Sequence, residues 1–277
     1  MSSPEQLQLR IYSPESPRTL IYLPGLHGDW TLVGSFRQAL LQQAPQFGGV
    51  RFIEFTYPRT LDWTLDDYAA AIETALAAHG ITSGWLLGES FGSQVVWPIV
   101  RNGRFKVESV ILAGGFVRHP MRWAARLAER LTAGASMTLL TRILFTYARV
   151  ARYRYRHSQV TLKGLHEFMA RRTELDRDAA THRLHLLAAN DPRPIARSTT
   201  IPVFGLSGVI DPIVPWFFVR PWLKRHCPAL RDYHLIGRAD HNVLGTAPDA
   251  AAAQALRWMT QANLPITERP PRTESRL

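Results

Sequence analysis

The chain has 277 residues, 46% apolar and 20% charged, which suits one large domain carrying an insertion, or two small domains, and excludes wholesale disorder. Its single cysteine, Cys227, excludes an internal disulfide framework, and no C-x-x-C spacing offers structural zinc. The formal charge of +11 is segregated: residues 118–197 hold 16 basic and 6 acidic side chains, a net +10, while the rest holds 17 and 16, a net +1. Met1–Pro17 has neither an apolar h-region nor an early basic cluster, so no secretory leader is expected and the cytoplasm is the default compartment. No apolar run approaches the ~18 residues of a membrane span.

Leu7–Ile11 reads as a short edge strand. Thr19–Leu23 is a β-rich apolar run stopped by Pro24-Gly25, hence a buried strand ending in a turn. Phe36–Gln43 has a helical pattern, and Arg51–Tyr57 is a second strand ending at Pro58. Leu65–His79 begins with Asp66 and Asp67 and is followed by Gly80, good start and stop signals for a helix. Gly84–Gly88 is a strand, Phe91–Val100 a helix and Val107–Leu112 a strand. This alternation implies a parallel sheet with helices on both faces. From Phe116 to Ile195 the pattern changes to helices alone, expected at Met121–Leu131, Thr138–Ala151, Leu162–Arg172 and Ala179–Ala189. The alternation then resumes with strand Ile201–Leu206, helix Trp216–Arg225, strand Asp232–Ile236 and helix Pro248–Ala262. The expected organisation is an α/β core over 1–115 and 196–264, a helical insertion over 116–195, and a polar, proline-bearing tail over 265–277 that frays.

Gly88-Glu89-Ser90-Phe91-Gly92 is a G-x-S-x-G sequence placed directly after a strand and before a helix. A turn that tight needs glycines without Cβ and presents the serine hydroxyl at its tip; a glycine-rich turn with a capping serine is the plainer alternative. A serine hydroxyl is a weak nucleophile without a base. Among ten histidines, His241 follows the last strand and so falls at the carboxyl edge of the sheet, as Ser90 does. His226 and His79 fall at helix ends. His182 and His185 are three apart in the insertion, a spacing that serves a solvated face more readily than a metal. His166-Glu167 opens like a zinc-protease motif, but Ala170 stands where a second histidine is needed. Asp211, beyond strand Ile201–Leu206, is the candidate to orient the imidazole, and Asp240, adjacent to His241, is the rival. The order Ser90, Asp211, His241 is that of an α/β-hydrolase.

On Pro24-Gly-Leu-His-Gly-Asp29, Gly88-Glu-Ser-Phe-Gly92, Gly208-Val-Ile-Asp211 and Asp240-His241, the sequence from about Arg10 to Leu264 resembles the α/β-hydrolase superfamily in its lidded form. The resemblance implies a doubly wound, mostly parallel sheet, with a helical cap inserted after the strand that follows the nucleophile helix. In that family the turn after the third strand commonly reads His-Gly-x, and the N–H of x helps to form an oxyanion hole. The matching place here reads Pro24-Gly25-Leu26, which makes Leu26 the expected donor with Phe91 the second, although His27-Gly28-Asp29 fits the pattern too.

In the insertion, Arg118, Arg122, Arg126 and Arg130 recur every four residues. Further on, Tyr147, Arg149, Arg152, Tyr153, Arg154, Tyr155 and Arg156 mix aromatics with cations. These residues are either a solvated surface or a means of meeting an anionic substrate or an anionic lipid surface, with Arg122 and Arg126 as candidate substrate contacts. No recognised nucleic-acid module accompanies them, so nucleic acid is not expected. Leu139, Leu140, Leu144, Phe145 and Phe168 either roof an apolar pocket or form the insertion's own core. With no G-x-G-x-x-G, P-loop or other cofactor box, neither cofactor nor metal is expected. The expected activity is that of a serine hydrolase, a carboxylesterase cleaving small or acyl-chain esters. A thioesterase, a C–C bond hydrolase, an acyltransferase or a non-catalytic ligand-binding protein would use the same framework.

Overall fold

The computed structural model describes residues 6–134, 162, 167 and 173–261. The helix expected at Thr138–Ala151, most of that at Leu162–Arg172, the aromatic and basic run 147–156, the apolar set from Leu139 to Phe168 and the tail 265–277 lie outside the described residues. The described strands are β1 (Gln8–Tyr12), β2 (Thr19–Leu23), β3 (Arg51–Thr56), β4 (Ser83–Glu89), β5 (Lys106–Ala113), β6 (Val203–Gly208) and β7 (Leu230–Ile236). The described α-helices are α1 (Gly34–Gln43), α2 (Leu65–Ala78), α3 (Gly92–Asn102), α4 (Arg122–Gly134), α5 (Glu174–Ala189), α6 (Arg193–Ser198), α7 (Trp216–His226), α8 (Val243–Thr246) and α9 (Pro248–Gln261).

The seven strands form one sheet in the order β1-β3-β2-β4-β5-β6-β7. β1 runs antiparallel at the edge, with Leu9 opposite Phe55, and the other neighbours are parallel. All five residues of β2 are buried, as expected of a strand covered on both faces. One face packs Ile72, Trp97 and Leu223 from α2, α3 and α7 against Phe55, Leu86 and Leu112. The other packs Phe36, Leu40 and Leu256 from α1 and α9 against Phe52, Leu87 and Phe204, where Phe204 stacks between Trp85 and Trp258 at ring-centroid distances of 5.5 and 5.0 Å.

Between β5 and β6 no strand occurs among the described residues; α4 and α5 pack on each other there. α5 starts five residues before the expected Ala179. Its start is set by a capping box in which Thr173 Oγ1 accepts from the Asp176 N–H and the Asp176 carboxylate accepts from the Thr173 N–H. The same device, Thr64 with Asp67, starts α2. In both, the side chains take up backbone donors that the first turn leaves without partners. α6 and α8 are short helices that the sequence pattern did not reveal.

β2 is flanked by β3 on one side and β4 on the other. The chain leaves β2 in one direction and crosses to β4 in the other, so a crevice opens beyond the carboxyl ends of these two strands. The Pro24 turn and Ser90 both lie there. The turn follows the second strand of this chain rather than the third.

Candidate active site

Ser90 has φ +48, in the left-handed region where a side chain is strained. The turn around it leaves no room on either side. A Cβ on Gly92 would fall 2.1 Å from the Leu23 carbonyl oxygen, and one on Gly88 would fall 2.8 Å from Val96 Cγ2 and 2.9 Å from the Ser93 backbone. The turn is anchored by the Ser90 N–H donating to the Ala113 carbonyl at the end of β5 (3.0 Å) and by Ser93 Oγ donating to the Ser90 carbonyl (2.6 Å).

His241 and Asp211 reach Ser90 because two loops are zipped together. The N–H groups of Val209 and Ile210 donate to the carbonyls of Ile236 and Ala239, each at 3.0 Å, which ties the loop after β6 to the loop after β7. Gly208 permits this approach, since a Cβ there would lie 2.4 Å from the carbonyl oxygens of Ala239 and Asp240. The result is a line of contacts: His241 Nδ1 is 2.8 Å from Asp211 Oδ2, and His241 Nε2 is 2.8 Å from Ser90 Oγ. Facing a carboxylate, Nδ1 must donate, which leaves Nε2 as the acceptor of the serine proton. The Asp211 side chain is fully buried and that of His241 is 18% exposed. Asp240 instead accepts from the Asn242 N–H at 3.1 Å.

Gly25, Leu26, His27 and Gly28 form a turn closed by the Gly28 N–H on the Gly25 carbonyl (2.9 Å). It lies beside the elbow, where a Cβ on Gly25 would sit 3.6 Å from Ser90 Cβ. The N–H of Leu26 is in this turn and that of Phe91 is at the start of α3, before the helix ladder begins. Backbone donors in such places are fixed in advance and suit a negative charge developing on a substrate oxygen.

Three neighbours escaped the sequence pattern. Glu89 is buried beside Ser90 and accepts a hydrogen bond from the Tyr22 hydroxyl across β2 and β4. Burial pushes its carboxyl pKa up, against the pull of Tyr22 and His241, with Asp29 and Asp240 adding to the rise. His119 is buried, with Nδ1 accepting from the Met121 N–H (3.1 Å). Burial pushes its pKa down. Arg183 is buried in α5 and bonds the Leu26 carbonyl. The motif G-E-S-F-G contained Glu89 in plain view, but burial is what gives it meaning.

The other candidates have different surroundings. Arg122 donates through Nε and Nη2 to the Ala188 carbonyl (3.0 and 2.7 Å), tying α4 to α5. Desolvation and the neighbouring charges of Arg118 and Arg126 pull its pKa down. Arg118 pairs with Asp191 at 3.3 Å. Arg126 and Arg130 line a cavity of about 250 Å³ with Glu129 and His185. His185 Nδ1 is bound to Glu129 (3.0 Å) and His182 Nε2 to the Trp63 carbonyl (2.8 Å). Among the described residues no group of three or more His, Cys, Asp and Glu could hold a metal ion, and no helix is long and apolar enough to cross a membrane. Cys227 is buried, and burial pushes its thiol up.

No protein-family model matches the chain, and no curated protein does. Solved structures do match. An esterase from Exiguobacterium antarcticum is 15% identical, the match covering 91% of this chain and 94% of that one at a TM-score of 0.72. The enol-lactonase from Burkholderia xenovorans is 18% identical over 92% and 96% of the two chains at 0.72. A bromoperoxidase from Bacillus anthracis is 14% identical over 91% and 95% at 0.73.

Proposed function

From the α/β-hydrolase fold that the chain has, we propose that it is a serine hydrolase, and within that class a carboxylesterase acting on small or acyl-chain esters. The observation that carries this reading is the pair of 2.8 Å contacts linking Ser90, His241 and Asp211 on a strained elbow. Ser90 Oγ attacks the ester carbonyl while His241 Nε2 takes its proton, and the charge that appears on the carbonyl oxygen is met by the N–H groups of Leu26 and Phe91. His241 then gives the proton to the departing alcohol oxygen, leaving an acyl group on Ser90. Water, deprotonated by His241, attacks that acyl group, and His241 returns the proton to Ser90 Oγ as the acid is released. Asp211 holds the imidazole in one tautomer and stabilises it when charged. Each backbone donor in such a site contributes about 3 kcal/mol to the transition state. The net +10 of residues 118–197 favours the approach of esters that carry a negative charge.

A fluorophosphonate tests the assignment directly. It should leave one adduct, on Ser90, and Ser90→Ala should lose both the adduct and nearly all hydrolysis of p-nitrophenyl esters while keeping the wild-type Tm. An adduct on another serine, or undiminished turnover by Ser90→Ala, would overturn it.

A further inference from the structure

Arg183 takes no part in that line of contacts, yet it is 1% exposed and its hydrogen bonds are to neutral groups. Nη1 donates to the Leu26 carbonyl (3.1 Å), Nη2 to the Pro58 carbonyl (3.0 Å), and Nε reaches the Tyr68 hydroxyl at 3.4 Å. The guanidinium carbon lies 5.7 Å from the centre of the Tyr57 ring. Burying a cation on dipoles is unfavourable, and an apolar side chain of similar volume would fill the space at least as well. What distinguishes arginine here is its rigid fork, which grips two carbonyls at once. Those carbonyls come from the segments following β2 and β3, so a helix of the insertion fastens the ends of two adjacent strands.

The gripped segment is the turn beside Ser90. In a four-residue turn closed from Gly28 to Gly25, Leu26 is the first central residue. The Gly25 carbonyl and the Leu26 N–H share one planar trans peptide and point to opposite sides, so the aim of that N–H follows the geometry of the whole turn. Arg183 fixes the next peptide plane through the Leu26 carbonyl. Gly28 has φ +77, and a Cβ there would lie 2.6 Å from the guanidinium carbon. The turn is thus shaped to admit this side chain.

We propose that Arg183 is a positioning residue for the oxyanion site. By holding the Leu26–His27 peptide it keeps the Leu26 N–H trained on the oxygen bound at Ser90, so the inserted segment influences the chemical step without touching the reacting atoms. The proposal rests on the serine hydrolase reading above. The probe is a fluorophosphonate, whose reaction at Ser90 also builds negative charge on an oxygen and needs no knowledge of the natural substrate. Its rate constant at saturation and its half-saturating concentration are measured by mass spectrometry for the wild-type chain, Arg183→Met and Arg183→Lys, with Tm recorded for each. Arg183→Met should lower the saturated rate about 100-fold, the loss typical of one oxyanion donor, with half-saturation moving less than twofold. Arg183→Lys, able to reach one carbonyl, should fall between. Should the methionine variant fail to fold, the lysine variant decides: a fivefold or greater loss in rate at unchanged half-saturation supports the role, and a wild-type rate overturns it. A variant that is folded and as fast as wild type, or one altered in half-saturation alone, likewise overturns it. Absence of any Ser90 adduct in the wild-type chain would instead overturn the serine hydrolase reading itself.

Discussion

Both carboxylate oxygens of Asp211 are committed: Oδ1 accepts from the N–H groups of Ile213 and Val214, each at 2.8 Å, and Oδ2 from His241. Three charge-assisted bonds hold the side chain in one rotamer. An amide in its place has one accepting oxygen and one donating NH2 group and cannot accept on both sides, so the histidine loses its fixed tautomer. Asp211→Asn is expected to lower kcat about 10³- to 10⁴-fold, whereas Asp240→Asn, whose carboxylate serves the Asn242 N–H, should stay within tenfold; kcat on p-nitrophenyl butyrate for both folded variants checks this, and equal losses would contradict it. Glu89 carries a pH prediction. Burial raises its carboxyl pKa above the ordinary 4.5, so between those two values the folded chain keeps a proton that the unfolded chain has lost. The folded state then binds more protons, and this contribution to stability is lost as pH rises through the folded-state pKa. Glu89→Gln removes the dependence, so the variant's Tm relative to wild type should climb as pH rises above the ordinary 4.5, and a constant difference would count against it. Ser90, Asp211 and His241 were legible because their order and their places beside strand ends are written locally. Glu89, His119 and Arg183 were not, because their roles come from burial against distant segments: Arg183 meets a carbonyl 157 residues away.

At the scale of elements, the strands were legible because a sheet covered on both faces needs continuous apolar runs, and Thr19–Leu23 is such a run with every residue buried. The start of α5 was missed although its signal, Thr173 followed by Asp176, was present; the apolar periodicity becomes clear only later in the helix. Glycines divide by what surrounds them. Gly103 ends α3 with φ +66 and open space where a Cβ would go, so Gly103→Ala should cost about 1 kcal/mol of backbone strain and leave Ser90 labelling intact. Gly92 sits where a Cβ meets the Leu23 carbonyl, and neither backbone can give way without parting β2 from α3. Gly92→Ala should therefore cost more than about 4 kcal/mol and abolish labelling. Denaturant unfolding of the two variants measures both values, and similar costs would show that the elbow is less tightly packed than its geometry implies.

For the molecule as a whole, the sequence showed that the positive charge is segregated, but not which arginines remain turned to solvent, since that depends on what each finds when the chain folds. Arg118 is paired with Asp191, Arg122 grips the Ala188 carbonyl, and Arg183 is buried. Arg126 and Arg130 line the cavity between α4 and α5. The two candidate substrate contacts of the insertion thus separate: replacing Arg122 removes a fastening between helices, whereas replacing Arg126 removes charge at a surface cavity. Arg122→Gln should lower Tm with little change in the salt response. Arg126→Gln combined with Arg130→Gln should leave Tm near wild type and lower kcat/KM at low salt for a negatively charged ester, because such charges act by raising the encounter rate. Screening shortens to about 10 Å at 0.1 M salt, so the wild-type advantage on that ester should shrink as salt is added and the double variant should show a flatter dependence. A neutral ester of similar size should respond to neither the substitutions nor the salt. If charged and neutral esters change alike, the basic segment is a solvated surface and does not recruit substrate.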